Sequence, residues 1–172
     1  VASYPTGTSS LKNDGSKKNS GHVRIYKNNS GSWEQIGNDI DGEGKSDNSG
    51  VSVSLSNDGS IVAIGANKND GVDSNSGHVR VYKNNAGSWE QIGNDIDGDK
   101  FGDLLGTSVS LSGDGSIVAI GAYKHDGGDL SSGLVRIYKN NSGSWEQLGN
   151  DIYGSKNEEL GYSVSPVSYT HL

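Results

Sequence analysis

The sequence predicts an all-β chain of four-stranded antiparallel sheets, the blades of a β-propeller, here an incomplete open arc. A β-solenoid is the alternative. Three observations predict this. SGHVRIYKNN begins at Ser20, SGHVRVYKNN at Ser76 and SGLVRIYKNN at Ser132, a spacing of 56 residues that Trp33, Trp89 and Trp145 share, each in SWEQ. Self-similarity at such a period marks stacked supersecondary units. Only 30% of the 172 residues are hydrophobic and 27 are Gly, which favours many short strands over thick helices. Finally, the apolar residues alternate with period 2 between Asp-Gly turns.

Residues 1–12 do not match the repeat: VASYPTGTSS stands where a strand like IVAIGA belongs, and Pro5 would sit inside it. Residues 13–50 read as a partial blade, with its third and fourth strands over about 21–41. The full blade 51–106 opens on VSVSLS (51–56), whose Val51, Val53 and Leu55 share one face. NDGS (57–60) turns the chain into IVAIGA (61–66), continuously apolar and small at its end. That suits a strand covered on both faces where neighbouring sheets approach closely. GHVRVYKN (77–84) and SWEQIGNDI (88–96) complete the unit. Residues 107–160 form a second full blade and 161–165 the first strand of the next. Trp89, Tyr82, Val79 and Val81 are expected to fill the gap between sheets. Propellers close with about four to eight blades, so the chain reads as a piece of a longer protein.

The run GTSVSLSGDGSIVAIGA (106–122) resembles the FG-GAP repeat of integrin-α-like propellers, in which a G-x-S-V strand leads to one ending in Gly-Ala. SGHVRVYKNNAGSWEQIGNDIDG (76–98) is similar to the variant in large surface or secreted repeat proteins of microbes. The resemblance covers 13–165. It implies a seven-bladed propeller serving cell adhesion or ligand binding, with calcium in some loops, and an extracellular or cell-surface location. The family's calcium hairpin between the first two strands is absent, since SNDGS (56–60) and SGDGS (112–116) hold one carboxylate each, Asp58 and Asp114. Pro166–Leu172 resembles the translation of a sequencing adapter, a scar of fragments assembled from environmental DNA, and is set aside.

Carboxylates collect elsewhere. DIDGEGKSD (39–47) and DIDGDKFGD (95–103) place them at the first, third, fifth and ninth positions: Asp39, Asp41, Glu43 and Asp47, then Asp95, Asp97, Asp99 and Asp103. Calcium takes six to eight oxygens from a loop able to wrap around it, so these eight residues are the candidate calcium ligands. Gly42 and Gly98 fall at the fourth place rather than the sixth, and the third copy, DIYGSKNEE (151–159), loses two carboxylates to Tyr153 and Ser155. The alternative is a solvated acidic linker. By topology the 67–77 loop and these connectors emerge on one acidic rim, where binding loops commonly lie.

Other features narrow the reading. A net charge of −7 without a basic run argues against nucleic acid. No apolar run approaches a membrane span, and with no Cys neither a disulfide frame nor a thiolate site exists. His22 and His78 are equivalent, but Leu134 takes that place in the third unit, which reads as a packing position. Asn28-Asn29-Ser30 and Asn140-Asn141-Ser142 read as turn chemistry before glycosylation sequons. No catalytic constellation is found. The sequence therefore predicts a non-enzymatic binding module that recognises protein or glycan with calcium assistance, beside other blades of the parent propeller. The alternatives are a propeller hydrolase or lyase whose catalytic blades lie outside this chain, and a structural spacer.

Overall fold

The computed structural model describes residues 6–10, 17–127 and 131–165. Pro5, Asp129 and the adapter-like segment lie outside them. Each 56-residue unit lays down one antiparallel sheet. The first holds β1 (Thr6–Ser10), β2 (His22–Asn29), β3 (Ser32–Gln35) and β4 (Ile40–Asp41). The second holds β5 (Ser52–Leu55), β6 (Ile61–Ala66), β7 (His78–Asn85), β8 (Ser88–Gln91) and β9 (Ile96–Asp97). The third repeats it with β10 (Ser108–Leu111), β11 (Ile117–Ala122), β12 (Leu134–Asn141), β13 (Ser144–Gln147) and β14 (Ile152–Tyr153).

The all-β composition stands, but the predicted fold class requires correction. Two sheets have five strands and one has four, and all three are open, none closing on another among the described residues. They are not closed into propeller blades. A solenoid is excluded as well, because every ladder between named strands is antiparallel. One cause of the extra strand is local. The expected fourth strand, SWEQIGNDI, breaks at Gly93, whose φ is +73°. β8 then pairs with the far half of β7, Tyr82 opposite Gln91, and β9 with its beginning, His78 opposite Asp97. At the other end of the chain, Thr6–Ser10 pairs with β2 in the register that β6 keeps with β7: Ser10 faces His22 as Ala66 faces His78. Register there follows the partner strand and not an apolar pattern of β1's own.

The cores lie between sheets. Val23, Ile25 and Ile40 of the first sheet pack with Val62, Ile64 and Tyr82 of the second. Val79, Val81 and Ile96 of the second pack with Val109, Leu111, Val118 and Ile120 of the third. A sheet buried on both faces reads as the continuous apolar run IVAIGA. The sheets approach closely at its glycine. A Cβ on Gly65 would lie 2.0 Å from the Gly106 carbonyl oxygen, and one on Gly121 the same distance from that of Gly161. Those carbonyls also accept from Ser52 Oγ at 2.7 Å and Ser108 Oγ at 2.8 Å. The Trp89 indole donates to the Ile36 carbonyl at 2.8 Å, and Trp145 to that of Ile92 at 2.9 Å. Each of these two SWEQ strands is thus fastened to the sheet before it.

The Asp-Gly hairpins consume their carboxylates. Asp58 accepts from Ser56 Oγ at 2.7 Å and from Ser60 N at 2.9 Å. These bonds, led by that of Ser56, hold its pKa below the ordinary value. No helix among the described residues is long and apolar enough to cross a membrane.

Candidate functional site

An arginine recurs inside the eight-residue strand of every sheet, β2, β7 and β12, and its partners distinguish the three units. Arg24 grips Asp39 through Nε at 2.9 Å and Nη2 at 2.7 Å. Those hydrogen bonds outweigh the cost of burial and bring the Asp39 carboxyl down to about 2. Arg136 grips Asp151 in the same way, Nε and Nη2 both at 2.9 Å, and also bonds Asp99 of the preceding connector. The Arg136 hydrogen bond, first among the causes, keeps Asp151 well below the usual carboxylate range. A forked guanidinium suits such bidentate pairing.

The middle unit departs from this pattern. Arg80 does not hold Asp95. Its Nη1 lies 3.1 Å from Glu43 and its Nη2 donates to the Asp41 carbonyl at 2.8 Å. Its Nε has no hydrogen-bond partner among the described residues, although the residue is 5% exposed. Asp95 turns instead toward His78, whose Nδ1 is 3.5 Å from Oδ2, and accepts from Gln91 Nε2 at 2.6 Å. His78 stands where the third sheet has Leu134. The first sheet keeps its Arg24–Asp39 pair with His22 in the equivalent place, so the middle unit differs in where its arginine points, toward Glu43 and the Asp41 carbonyl.

One oxygen each from Glu43 and Asp95 and a nitrogen of His78 lie within 4.8 Å of one another. His78 is 2% exposed. Burial, helped by the Arg80 charge, lowers its pKa from 6.5 despite Asp95, so the ring is neutral at neutral pH. Asp97, opposite it in the ladder, is raised by burial. His78 works against that rise, while the Asp95 and Glu43 charges reinforce it. Glu43, Asp95 and Asp97 line a cleft of about 630 Å³ with Asp47, Asp70, Asn69, Lys17 and Lys45. The 67–77 loop and two successive connectors meet there. Two side grooves, about 500 and 270 Å³, repeat one another by 56 residues around Trp89 and Trp145. The cleft, unlike them, brings carboxylates of two successive connectors together with the 67–77 loop.

Of the eight residues expected as calcium ligands, Glu43, Asp47, Asp95 and Asp97 share the cleft, and Asp39, Asp41, Asp99 and Asp103 lie outside it. Asp39 is committed to Arg24 and Asp99 to Arg136. Asp47 is buried and folds back onto its own loop, accepting from Gly44 N at 2.6 Å and from Asn69 Nδ2 at 2.9 Å. Asp103, also buried, accepts from Lys100 N at 3.1 Å and faces His125 Nδ1 at 2.9 Å. Asp41 sits in β4 opposite His22. Glu43 from one connector converges with Asp95 and Asp97 from the next. The spacing within a connector does not gather its carboxylates, because the ninth-place Asp closes a tight turn. Sequence reasoning passed over His78 and Arg80 as site residues. The signal for them was a charged residue held in an otherwise buried strand, HVRVY.

No family model matches the chain, and no curated protein matches it. Solved structures do. A putative 6-phosphogluconolactonase from Bacteroides uniformis is 18% identical with a TM-score of 0.55, over 78% of this chain. One from Bacteroides fragilis is 14% identical with a TM-score of 0.59, over 94% of this chain. The chain spans only 35% and 41% of those two proteins. At such identities the likeness concerns the fold.

These findings correct the FG-GAP, integrin-like resemblance: the similar structures are named as lactonases. The reading as a non-enzymatic adhesion module falls with it. The fold is one shared with proteins named for an enzymatic activity, and Glu43 and Asp95, which line the cleft, group with the buried His78 as a possible metal-binding or catalytic cluster. The expectation of no enzymatic role is overturned on the same grounds.

Proposed function

We propose that the chain is part of a hydrolase that opens a sugar lactone by adding water. The observation that carries this is the group in the cleft: a neutral buried His78 beside Asp95, with Asp97 raised toward the working pH. A base is most effective when its pKa lies near that pH. Asp97 takes a proton from water, and the water oxygen bonds to the lactone carbonyl carbon. The ring C–O bond breaks, and the ring oxygen receives the proton, giving the hydroxy acid. His78 stands beside Asp95, and the Asp95 charge adds to the burial that raises Asp97. Glu43, Asp47, Asp70, Asp95 and Asp97 outnumber Lys17 and Lys45 in the cleft. Carboxylates accept hydroxyl hydrogen bonds and repel anions, so the substrate is an uncharged aldonolactone rather than a phosphorylated one.

A second reading is favoured by the 4.8 Å grouping of Glu43, His78 and Asp95. Two carboxylates and an imidazole suit a divalent cation such as manganese or zinc. Calcium would draw further oxygens, Asp97 first. Bound there, such a cation would polarise the lactone carbonyl. Arg80 opposes it, because its guanidinium already pairs with Glu43.

The test is proton release from δ-gluconolactone and from 6-phosphogluconolactone, above the spontaneous rate. Acceleration is expected with the first, surviving a chelator, and lost by about 100-fold or more in Asp97→Asn. Activity removed by chelator and restored by a divalent metal selects the second reading. No acceleration with or without metal defeats both.

A further inference from the structure

The groove around Trp145 adjoins the cleft, because Asp95 and Asp97 line both. Asn94 stands beside these carboxylates, and the facing wall comes from the third sheet, with Tyr138 of β12 and Ser144 and Trp145 of β13. Both walls therefore belong to sheets inside the chain. At about 270 Å³ the groove falls below the roughly 300–1,000 Å³ of sites for drug-sized ligands, which suits a single small ring. The Trp145 indole is fixed before any ligand arrives, since its N–H is spent on the Ile92 carbonyl at 2.9 Å. What it offers a ligand is apolar ring surface, against which the C–H groups of a sugar can pack. Burial raises the Tyr138 pKa, so the phenol keeps its proton and can donate. An amide both donates and accepts, and carboxylates accept from hydroxyls. An apolar face ringed by hydroxyl-binding groups complements a neutral pyranose. The groove around Trp89 has the same build without the connection. Its carboxylates, Asp39 and Asp41, do not line the cleft, and Asp39 is held by Arg24.

We infer that the substrate is an aldonolactone carrying a second sugar ring, an aldobionolactone, whose outer ring lies in the Trp145 groove while its lactone lies in the cleft. This builds on the lactone hydrolysis proposed above and names the substrate class of that same site. The shared carboxylates set the arrangement: a ligand that reaches Asp95 and Asp97 from the cleft is at the mouth of the groove. The outer ring stacks on Trp145, and Asn94, Tyr138 and Ser144 meet its hydroxyls. It takes no part in the ring opening, and its role is to hold the lactone against Asp97.

The test compares hydrolysis of δ-gluconolactone with that of cellobiono-δ-lactone and maltobiono-δ-lactone, which carry a glucosyl ring on the 4-hydroxyl in β and α linkage, each above its spontaneous rate. Binding energy from a remote ring appears in kcat/KM. For at least one disaccharide lactone, kcat/KM is expected to exceed that for δ-gluconolactone by about tenfold or more. Trp145→Ala should bring this ratio back to about one, as loss of an aromatic anchor does. Trp145 also packs against the core between the second and third sheets, but any loss of folded protein lowers both rates alike and cancels in the ratio. Trp89→Ala, in the groove that does not share the cleft's carboxylates, should keep the wild-type ratio. Activity on δ-gluconolactone with no gain on either disaccharide lactone overturns the inference alone. So does a gain that Trp145→Ala retains, or that Trp89→Ala loses equally. No acceleration with any of these lactones overturns the inference together with the lactonase reading.

Discussion

His78→Leu is expected to leave the fold intact, remove lactone hydrolysis by about 100-fold or more, and make the protein more resistant to mild acid. The fold should survive because the equivalent place in the third sheet is Leu134, which is 1% exposed on the same strand. Activity should go because Asp95 loses the imidazole beside it. The acid effect comes from linkage. Unfolded His78 titrates near 6.5, and in the folded protein burial and Arg80 bring it lower. The folded state thus binds fewer protons, so stability is intact above pH 6.5 and falls as pH drops from there toward the folded value. Leucine removes that dependence. Thermal melts of the two proteins should lie together or nearly so at about pH 7.5 and separate in favour of the variant at about pH 5. Equal separations at both values would show that His78 is not a neutral buried ring.

Gly65→Ala is expected to be the most damaging small substitution, costing about 3 kcal/mol. Its Cβ would be placed 2.0 Å from the Gly106 carbonyl and 2.4 Å from Ser52 Oγ. The first is backbone, and it is fixed by the Ser52 hydrogen bond across the sheet gap. Relief requires the second and third sheets to move apart, opening a core that includes Val79, Val109 and Ile120. Gly121→Ala makes the same demand against Gly161. Urea unfolding measures both, and a loss below about 1 kcal/mol at either site would mean the sheets are not held at this distance.

Much of the secondary structure is legible because the repeat prints it three times. VSVSLS, IVAIGA and HVRVYKNN become strands near the places their alternation and turn residues assign. β1 is not legible, since a polar stretch such as TGTSS carries no core pattern and is fixed only by pairing with β2. β4, β9 and β14 are two residues each, too short for any period, and the glycine that isolates them looks like an ordinary turn. The family resemblance failed for a physical reason. Its motif residues, the Ser of G-x-S-V and the Gly of IGA, serve here to bond and approach the next sheet's glycine. Closely packed sheets demand that whatever their function. The candidate site was half visible. Glu43, Asp95 and Asp97 stood out by type, but spacing grouped them by connector, whereas the fold groups them across two connectors. His78 was hidden by its own repeat, because Leu134 made the position look like packing. It does pack, and it also stands beside Asp95.

The central claim is that this cleft, lined by Asp95 and Asp97 with the buried His78 beside Asp95, is where the chain meets its substrate. The most direct measurement is a titration of the protein with glucono-δ-lactam, an uncharged analogue of the lactone that resists ring opening, monitored by NMR of the His78 imidazole and the Asp97 carboxyl. Saturable shifts are predicted at both groups, with His78 titrating below 6.5 in the free protein, and no comparable change at His22. Shifts at the side grooves of Trp89 and Trp145, the second of which Asp97 also lines, with His78 unmoved, would contradict it.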